Sequence, residues 1–362
     1  MTALAAGRHR GPRARAEGFC SRYGLRVPIL QAPMSGASPP ELGIAVAEAG
    51  GMAARGSLLD TPERIAEWFR RFRSGSGGAV QVNTWIPDTP TDDRQRITDA
   101  RVFLARFGVP GDPADAGRDP AALFEQQCEA MLAAGPTAVS SIMGLFGPGY
   151  VDRLHRAGIA WFACATTLDD ALAAQDAGAD AVVAQGLEAG GHRGTFEPDA
   201  AESVEVGLFA LLPRLSDHLQ VPVIAAGGIA DGRGVAAALT LGASAVQIGT
   251  ALLRCPETGA DTEWAASLAG LAPEATITTR AYSGRLGRTA PTPYVRAWRA
   301  ADAPRPAPYP QQRQLLSQWR AGAAPGLERV NHWAGQSAAM ATDAAAGEVI
   351  TAMWKDASAL LA

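Results

Sequence analysis

His192 is the residue best placed to do chemistry in this sequence. It sits in Gly186-Leu-Glu-Ala-Gly-Gly-His-Arg-Gly194, where four glycines within nine residues let the backbone approach a bound molecule closely. An imidazole in such a loop serves as a hydrogen-bond donor or as a base near neutral pH. The other four histidines (His9, His155, His218 and His332) fall in the N-terminal lead-in, on predicted helices or near the C-terminal end, where a structural role is the ordinary one. Glu188 reads as a group that orients Arg193 or the loop. Gln185 and Asn83 are amides that can bond the donors and acceptors of a heteroaromatic ring without adding charge.

A second feature points to an anion. Ala226-Gly-Gly-Ile229 and Ile248-Gly-Thr250 each follow an apolar run, and the first leads into a predicted helix near Asp231. Glycines at such turns free backbone N–H groups to face a phosphate, and a helix N-terminus adds its dipole. Gly227, Gly228, Gly249 and Thr250 are therefore the predicted phosphate contacts. Either turn alone is a common way to end a strand, so the pair carries the reading. Nothing resembles a nucleoside-triphosphate loop.

These residues need a scaffold that brings distant loops to one end. From Val27 onward the chain repeats a short apolar run, a Gly- or Pro-rich turn and an Ala-rich amphipathic stretch. Strands are expected at 28–32, 51–55, 79–83, 137–140, 159–164, 179–185, 221–226 and 243–248. Helices are expected at 40–49, 62–73, 120–133 and 168–177, the last capped by Thr167. A long polar insertion spans 85–119. The last three strands are near-continuous apolar runs, as parallel strands buried on both faces must be. Eight such units in one stretch predict an α/β chain folded as a (β/α)₈ barrel, a TIM barrel, rather than an open sheet, since no GxGxxG opens a first helix. In that fold the turns after strands seven and eight hold phosphate and the strand C-termini carry the chemistry.

Composition narrows the function. The chain has 362 residues, 47% of them hydrophobic, and a formal net charge of −4. That balance argues against nucleic acid as a partner, and no apolar run approaches the ~20 residues of a membrane span. Four cysteines without CxxC spacing predict neither a disulfide framework nor a metal site, so no metal is expected and the cytoplasm is the expected compartment. Residues 1–17, with Arg8, Arg10, Arg13 and Arg15 among small residues, read as a disordered basic tail. The barrel is expected over 18–272, and 273–362 reads as a helical C-terminal extension packed on it.

Pro28-Ile-Leu-Gln-Ala-Pro-Met-Ser-Gly36, Gln185–Gly194, Ala226–Ile229, Gln247-Ile-Gly-Thr250, Thr279-Arg-Ala-Tyr-Ser-Gly-Arg285 and Trp333-Ala-Gly-Gln-Ser337 together resemble the FMN-dependent nitronate monooxygenases, formerly called 2-nitropropane dioxygenases, of the bacterial class I branch. The resemblance covers nearly the whole chain after Gly24. It implies FMN contacts at Pro33, Met34, Asn83, Gln185, Gly190, Gly191, Gly227, Gly228, Gln247, Gly249, Thr250 and Gln336, and it implies that His192 is the active-site histidine. It further implies oxidation of alkyl nitronates or nitroalkanes with O₂ to a carbonyl compound and nitrite.

Departures from the family pattern mark substrate-facing candidates. Strand two carries Arg55 where an apolar stretch is common, and Trp85 follows Asn83 in place of an apolar pair. Ser140-Ser-Ile-Met-Gly-Leu-Phe-Gly147 lacks two customary aromatics, which singles out Ser141 and Met143. Tyr282 joins them from the 279–285 segment. Two rivals remain: a flavin-dependent enoyl reductase fed by NAD(P)H, and a non-catalytic FMN-binding barrel, against which the intact His192 loop argues.

Overall fold

The computed structural model describes residues 11–362 except 90, 92, 117–119, 323 and 325. Strands β1 (Ile29–Gln31), β2 (Ala53–Gly56), β3 (Val80–Trp85), β4 (Ala138–Ile142), β5 (Ala160–Ala165) and β6 (Ala181–Gln185) are parallel neighbours in the barrel. A two-residue strand, β7 (Gly191–His192), leaves the barrel before β8 (Val223–Ala226) and β9 (Ala245–Ile248) complete it. β9 pairs with β1 through Ile29–Val246 and Gln31–Ile248, and a parallel bridge from Leu30 to Met52 joins β1 to the second strand. The ring of eight is therefore closed, as expected. Val, Ile and Ala at almost no exposure dominate the later strands, which is why these runs were legible as parallel strands, while Gln31, Gln81, Ser140 and Ser141 are buried in the earlier ones.

Helices α1 (Pro12–Tyr23), α2 (Pro40–Glu48), α3 (Pro62–Gly75), α4 (Arg94–Leu104), α5 (Pro120–Ala134), α6 (Pro148–Arg156), α7 (Leu168–Asp176), α8 (Leu208–His218) and α9 (Gly232–Thr240) follow in chain order. Their starts are written locally. Thr61 Oγ1 accepts from Arg64 N, Thr167 Oγ1 from Asp170 N at 3.0 Å, and Asp231 from Arg233 N and Gly234 N.

Three expectations need correction. Residues 12–17 are not a disordered tail: they open α1, whose Phe19 and Tyr23 close the lower end of the barrel. The Tyr23 and Phe162 rings meet edge-on at 5.1 Å. Residues 1–10 lie outside the described residues. The 85–119 segment is not a plain polar insertion, because Trp85 continues β3 opposite Ile142 and α4 lies beyond it; its end at 117–119 lies outside the described residues.

The C-terminal part differs most. It contains α10 (Thr262–Ser267), β10 (Ile277–Thr279), β11 (Gly287–Thr289), α11 (Pro293–Ala297), α12 (Gln311–Ala321) and α13 (Ala346–Leu360). β10, β11 and β7 form a small antiparallel sheet, so the region is not purely helical. α4 packs with α11 and α12 around Phe103, Tyr294, Trp298 and Trp319, a second apolar cluster above the strands' C-terminal ends. α13 then returns to the ring and buries Ala346, Ile350, Met353 and Ala357 between α9 and α2. A Cβ on Gly232 of α9 would lie 2.5 Å from Asp356 Cβ, so the two helices touch backbone to backbone. What reads as an extension is a cap inserted between the eighth barrel strand and the helix that covers it.

Candidate functional site

The C-terminal ends of the barrel strands and the cap enclose a cavity of about 720 Å³, the size of an ordinary cofactor-and-substrate pocket. Pro33, Met34, Asn83, Gln185, Gly190, Gly191, His192, Gly227, Gly228, Gln247, Gly249 and Thr250 all line it, as do Arg55, Trp85 and Ser141. Gln336, Met143 and Tyr282 do not.

At one end lie the two glycine turns. Gly227 and Gly228 hold φ of +114° and +69°, a left-handed turn that suits residues without a Cβ. Among the described residues, the N–H groups of Gly228, Gly249 and Thr250 donate to no protein acceptor, although Gly249 and Thr250 are only partly exposed. Such orphan donors need a partner, and an anion held by converging N–H groups provides it. The basic side chains that line the cavity are those of Arg55, Arg64 and Arg313. The Thr250 hydroxyl accepts from Gly335 N at 3.0 Å.

The histidine loop is fixed on every side. Gln185 Oε1 accepts from Gly194 N at 2.8 Å and its Nε2 donates to His192 O at 2.9 Å, so the amide expected to face a ring instead pins the loop's two arms together. Asn83 Nδ2 donates to Ser140, leaving its Oδ1 for the cavity. Glu188 does not hold Arg193. Its carboxylate accepts from Leu208 N at the start of α8, while Arg193 donates to Gln185 O and Val204 O. β7 pairs antiparallel with β11, placing His192 opposite Gly287.

The His192 ring meets Trp85 at 4.4 Å and Trp333 at 4.5 Å between centroids, and its Nε2 lies 2.7 Å from Ser283 Oγ. Burial, and secondarily the nearby Arg285 cation, push the imidazole down from 6.5 to about 3. Burial thus favours the neutral imidazole. Arg285 is almost fully buried and lies 3.4 Å from Asp88. Arg55 is not an open cation: its guanidinium makes a two-pronged pair with Asp60 at 2.7 and 2.8 Å and donates to Ser38 O.

Three residues expected at the site are not among those that line the cavity. Gln336 uses its backbone N–H on Glu188 O, so the 333–337 segment clasps the histidine loop and offers the cavity Trp333, Gly335 and Ser337. Met143, at φ +69°, turns its sulfur toward Arg285 Nε and away from the cavity. Tyr282 is buried behind Trp333, and its hydroxyl donates to Glu328 at 2.5 Å. Conversely, Ser283 and Trp333 were missed although both lie inside quoted motifs. Ser283 lies in a turn in which its own N–H and that of Gly284 donate to Arg280 O, so no strand-like alternation marks it in the sequence. Among the described residues no group of His, Cys, Asp and Glu is arranged to hold a metal, and the four cysteines are free and buried. No described helix is long and apolar enough to cross a membrane.

Comparison with known proteins agrees with this architecture. The family model described as "Nitronate monooxygenase" matches residues 20–356. Curated nitronate monooxygenases from Paraburkholderia phytofirmans and Pseudomonas aeruginosa are each 36% identical, over 92% of this chain and 93% and 96% of theirs. A nitroalkane oxidase from Streptomyces ansochromogenes superimposes with a TM-score of 0.82 at 34% identity, covering 92% of this chain and 96% of that one. FabK from Thermotoga maritima superimposes at 0.73 with 25% identity, over 95% and 96%. With the barrel, the glycine turns and the histidine loop in place, the chain belongs to the nitronate monooxygenase family of oxidoreductases.

Proposed function

We propose that this chain is a cytoplasmic, FMN-dependent monooxygenase that oxidises alkyl nitronates with O₂ to a carbonyl compound and nitrite, with His192 as its active-site group. The orphan N–H groups of Gly228, Gly249 and Thr250 fit a phosphate dianion. Asn83, Met34, Gln247 and the Gly190–Gly191 backbone line the space between them and His192, where an isoalloxazine would lie. When bound, FMN supplies the redox chemistry, taking electrons from the substrate and passing them to O₂.

One observation carries the choice of substrate: His192 faces the cavity between Trp85 and Trp333, where burial favours its neutral form. A neutral imidazole with so low a proton affinity is a poor base for a C–H bond but a good hydrogen-bond donor to an anion. The substrate is therefore the nitronate, already deprotonated, and a neutral nitroalkane reacts only through its ionised fraction. Trp85 and Trp333 flank the His192 ring and limit the room beside it. Arg55, neutralised by Asp60, does not recruit the anion.

The test is anaerobic mixing of the yellow protein with propionate-3-nitronate, with nitroethane and with NADPH. Fast bleaching of the flavin by the nitronate, slow bleaching by nitroethane and none by NADPH is the expected pattern. Bleaching by NADPH alone would make the protein an enoyl reductase or a related NAD(P)H enzyme.

A further inference from the structure

His192 has two ring nitrogens, and its chemistry depends on which one carries the proton. Nε2 faces Ser283 Oγ at 2.7 Å. Nδ1 has no protein partner and is not sealed from the cavity that the residue lines. The ring is hemmed by Trp85 and Trp333, both within 4.5 Å, so it has little room to turn over and exchange the two nitrogens.

Ser283 is fully enclosed by protein except where it meets the cavity. Its oxygen accepts the Arg285 N–H at 3.2 Å, and its single hydrogen has two possible acceptors: Arg285 O at 3.3 Å or His192 Nε2 at 2.7 Å. A hydroxyl gives its hydrogen to the nearer and better-aligned acceptor, and 2.7 Å is a full-strength bond whereas 3.3 Å is a stretched one. The Arg285 N–H, donating to the same oxygen, strengthens the serine as a donor in turn.

We propose that Ser283 donates its hydrogen to His192 Nε2 and so fixes the imidazole proton on Nδ1, making the cavity-facing nitrogen a hydrogen-bond donor to the anionic oxygen of the nitronate. Ser283 is then a positioning residue that selects the tautomer, and with it the charge of the molecule the site accepts. The proposal rests on the nitronate reading above. It needs no movement of the ring, because hydroxyl and imidazole simply share one hydrogen-bonded arrangement from the free to the loaded site.

The experiment uses the FMN-loaded protein labelled with ¹⁵N-histidine. Long-range ¹H–¹⁵N correlation distinguishes the two neutral tautomers, and the His192 signals are identified by their absence in His192→Asn. The wild type should show Nδ1–H. Ser283→Ala should lose that signature and raise KM for propionate-3-nitronate about tenfold, the effect of one hydrogen bond to a charged group, while kcat changes far less. Ser283→Thr, which keeps the hydroxyl, should restore both. A wild-type spectrum with the proton on Nε2 overturns the proposal even if Ser283→Ala fails to fold. So does a Ser283→Ala protein with an unchanged tautomer and KM. A wild type inert to nitronates would instead remove the substrate reading, while the spectrum still decides the tautomer.

Discussion

The Trp85 indole meets the His192 imidazole edge-on, with centroids 4.4 Å apart and planes inclined by 72°, and it leans on Tyr309 at 5.4 Å on another side. A strand residue of the barrel thus braces a loop residue from the end of a strand three places away, and the cap holds both. Replacing Trp85 with Ala should loosen His192 and enlarge the cavity beside it. Small nitronates should lose severalfold in kcat/KM and bulkier ones should gain. Unchanged relative rates across a series of chain lengths would mean that Trp85 does not border the substrate.

His192→Ala should leave FMN bound and lower turnover by a factor on the order of 10² to 10⁴, the usual span for a positioned polar group. His192→Asn keeps an N–H donor and should retain part of the nitronate activity. Steady-state rates beside flavin content decide this, and equal, mild losses in both variants would reduce His192 to a support of its loop.

The glycine turn offers a two-step test. Gly228→Ala imposes a side chain at φ +69°, 3.2 Å from Glu188 Cβ, and should cost on the order of 1–2 kcal/mol from backbone strain alone. Gly228→Asp adds a carboxylate where the proposed phosphate would sit. The alanine protein should hold FMN weakly and the aspartate protein should purify colourless yet folded, as absorbance and circular dichroism would report. An aspartate variant as yellow as the parent would separate the turn from the cofactor.

Acid should expose the strain on His192. In the unfolded chain its imidazole binds a proton below about 6.5, whereas in the folded protein it does so only near 3. Between these values the unfolded state holds the extra proton. The contribution of the neutral ring to stability is complete above pH 6.5 and is lost progressively as pH falls toward 3, with a slope of up to about 1.4 kcal/mol per pH unit. Urea midpoints at pH 7 and 4.5 should therefore fall further for the wild type than for His192→Gln. Parallel falls would show that the ring ionises freely. By the same argument kcat/KM for a nitronate should show no limb near pH 6–7 from this residue.

A chain stopped at Ala345 should fail to give a stable flavoprotein, because Ile350 and Met353 of α13 fill the gap between α9 and α2. Exposed apolar faces on both helices would drive aggregation in gel filtration. A monomeric yellow product would show that the barrel stands without it.

How much of this was legible beforehand follows the range of the forces involved. The barrel strands announce themselves through local composition, since Val223–Ala226 and Ala181–Ala184 are wholly apolar, as residues that sit between layers must be, with the polar Gln185 only at the strand tip. The glycine turns are likewise local and lie where expected. Ser283 and Trp333 were hidden because their roles depend on the pairing of β7 with β11 and on the bridge from Thr289 to Trp333, registers between segments far apart in sequence. Gln185 lies where expected, yet its amide holds the loop, because a strand tip beside a backbone turn satisfies its own polar groups first. The place of α13 was hidden for another reason: an amphipathic helix looks the same whether it covers a cap or a barrel.

That placement has a consequence for biosynthesis. On a translating ribosome all eight strands and both glycine turns emerge well before α13, and the cap must be made in between. Until Ala346–Leu360 is available, the groove between the first and seventh barrel helices is greasy and unfilled, a natural handhold for chaperones. The cap's two ends are tied to neighbouring parts of one ring, β9 on one side and α13 on the other. A polypeptide interrupted before Trp333 would carry both glycine turns and still lack Trp333, Gly335 and Ser337, which line the cavity.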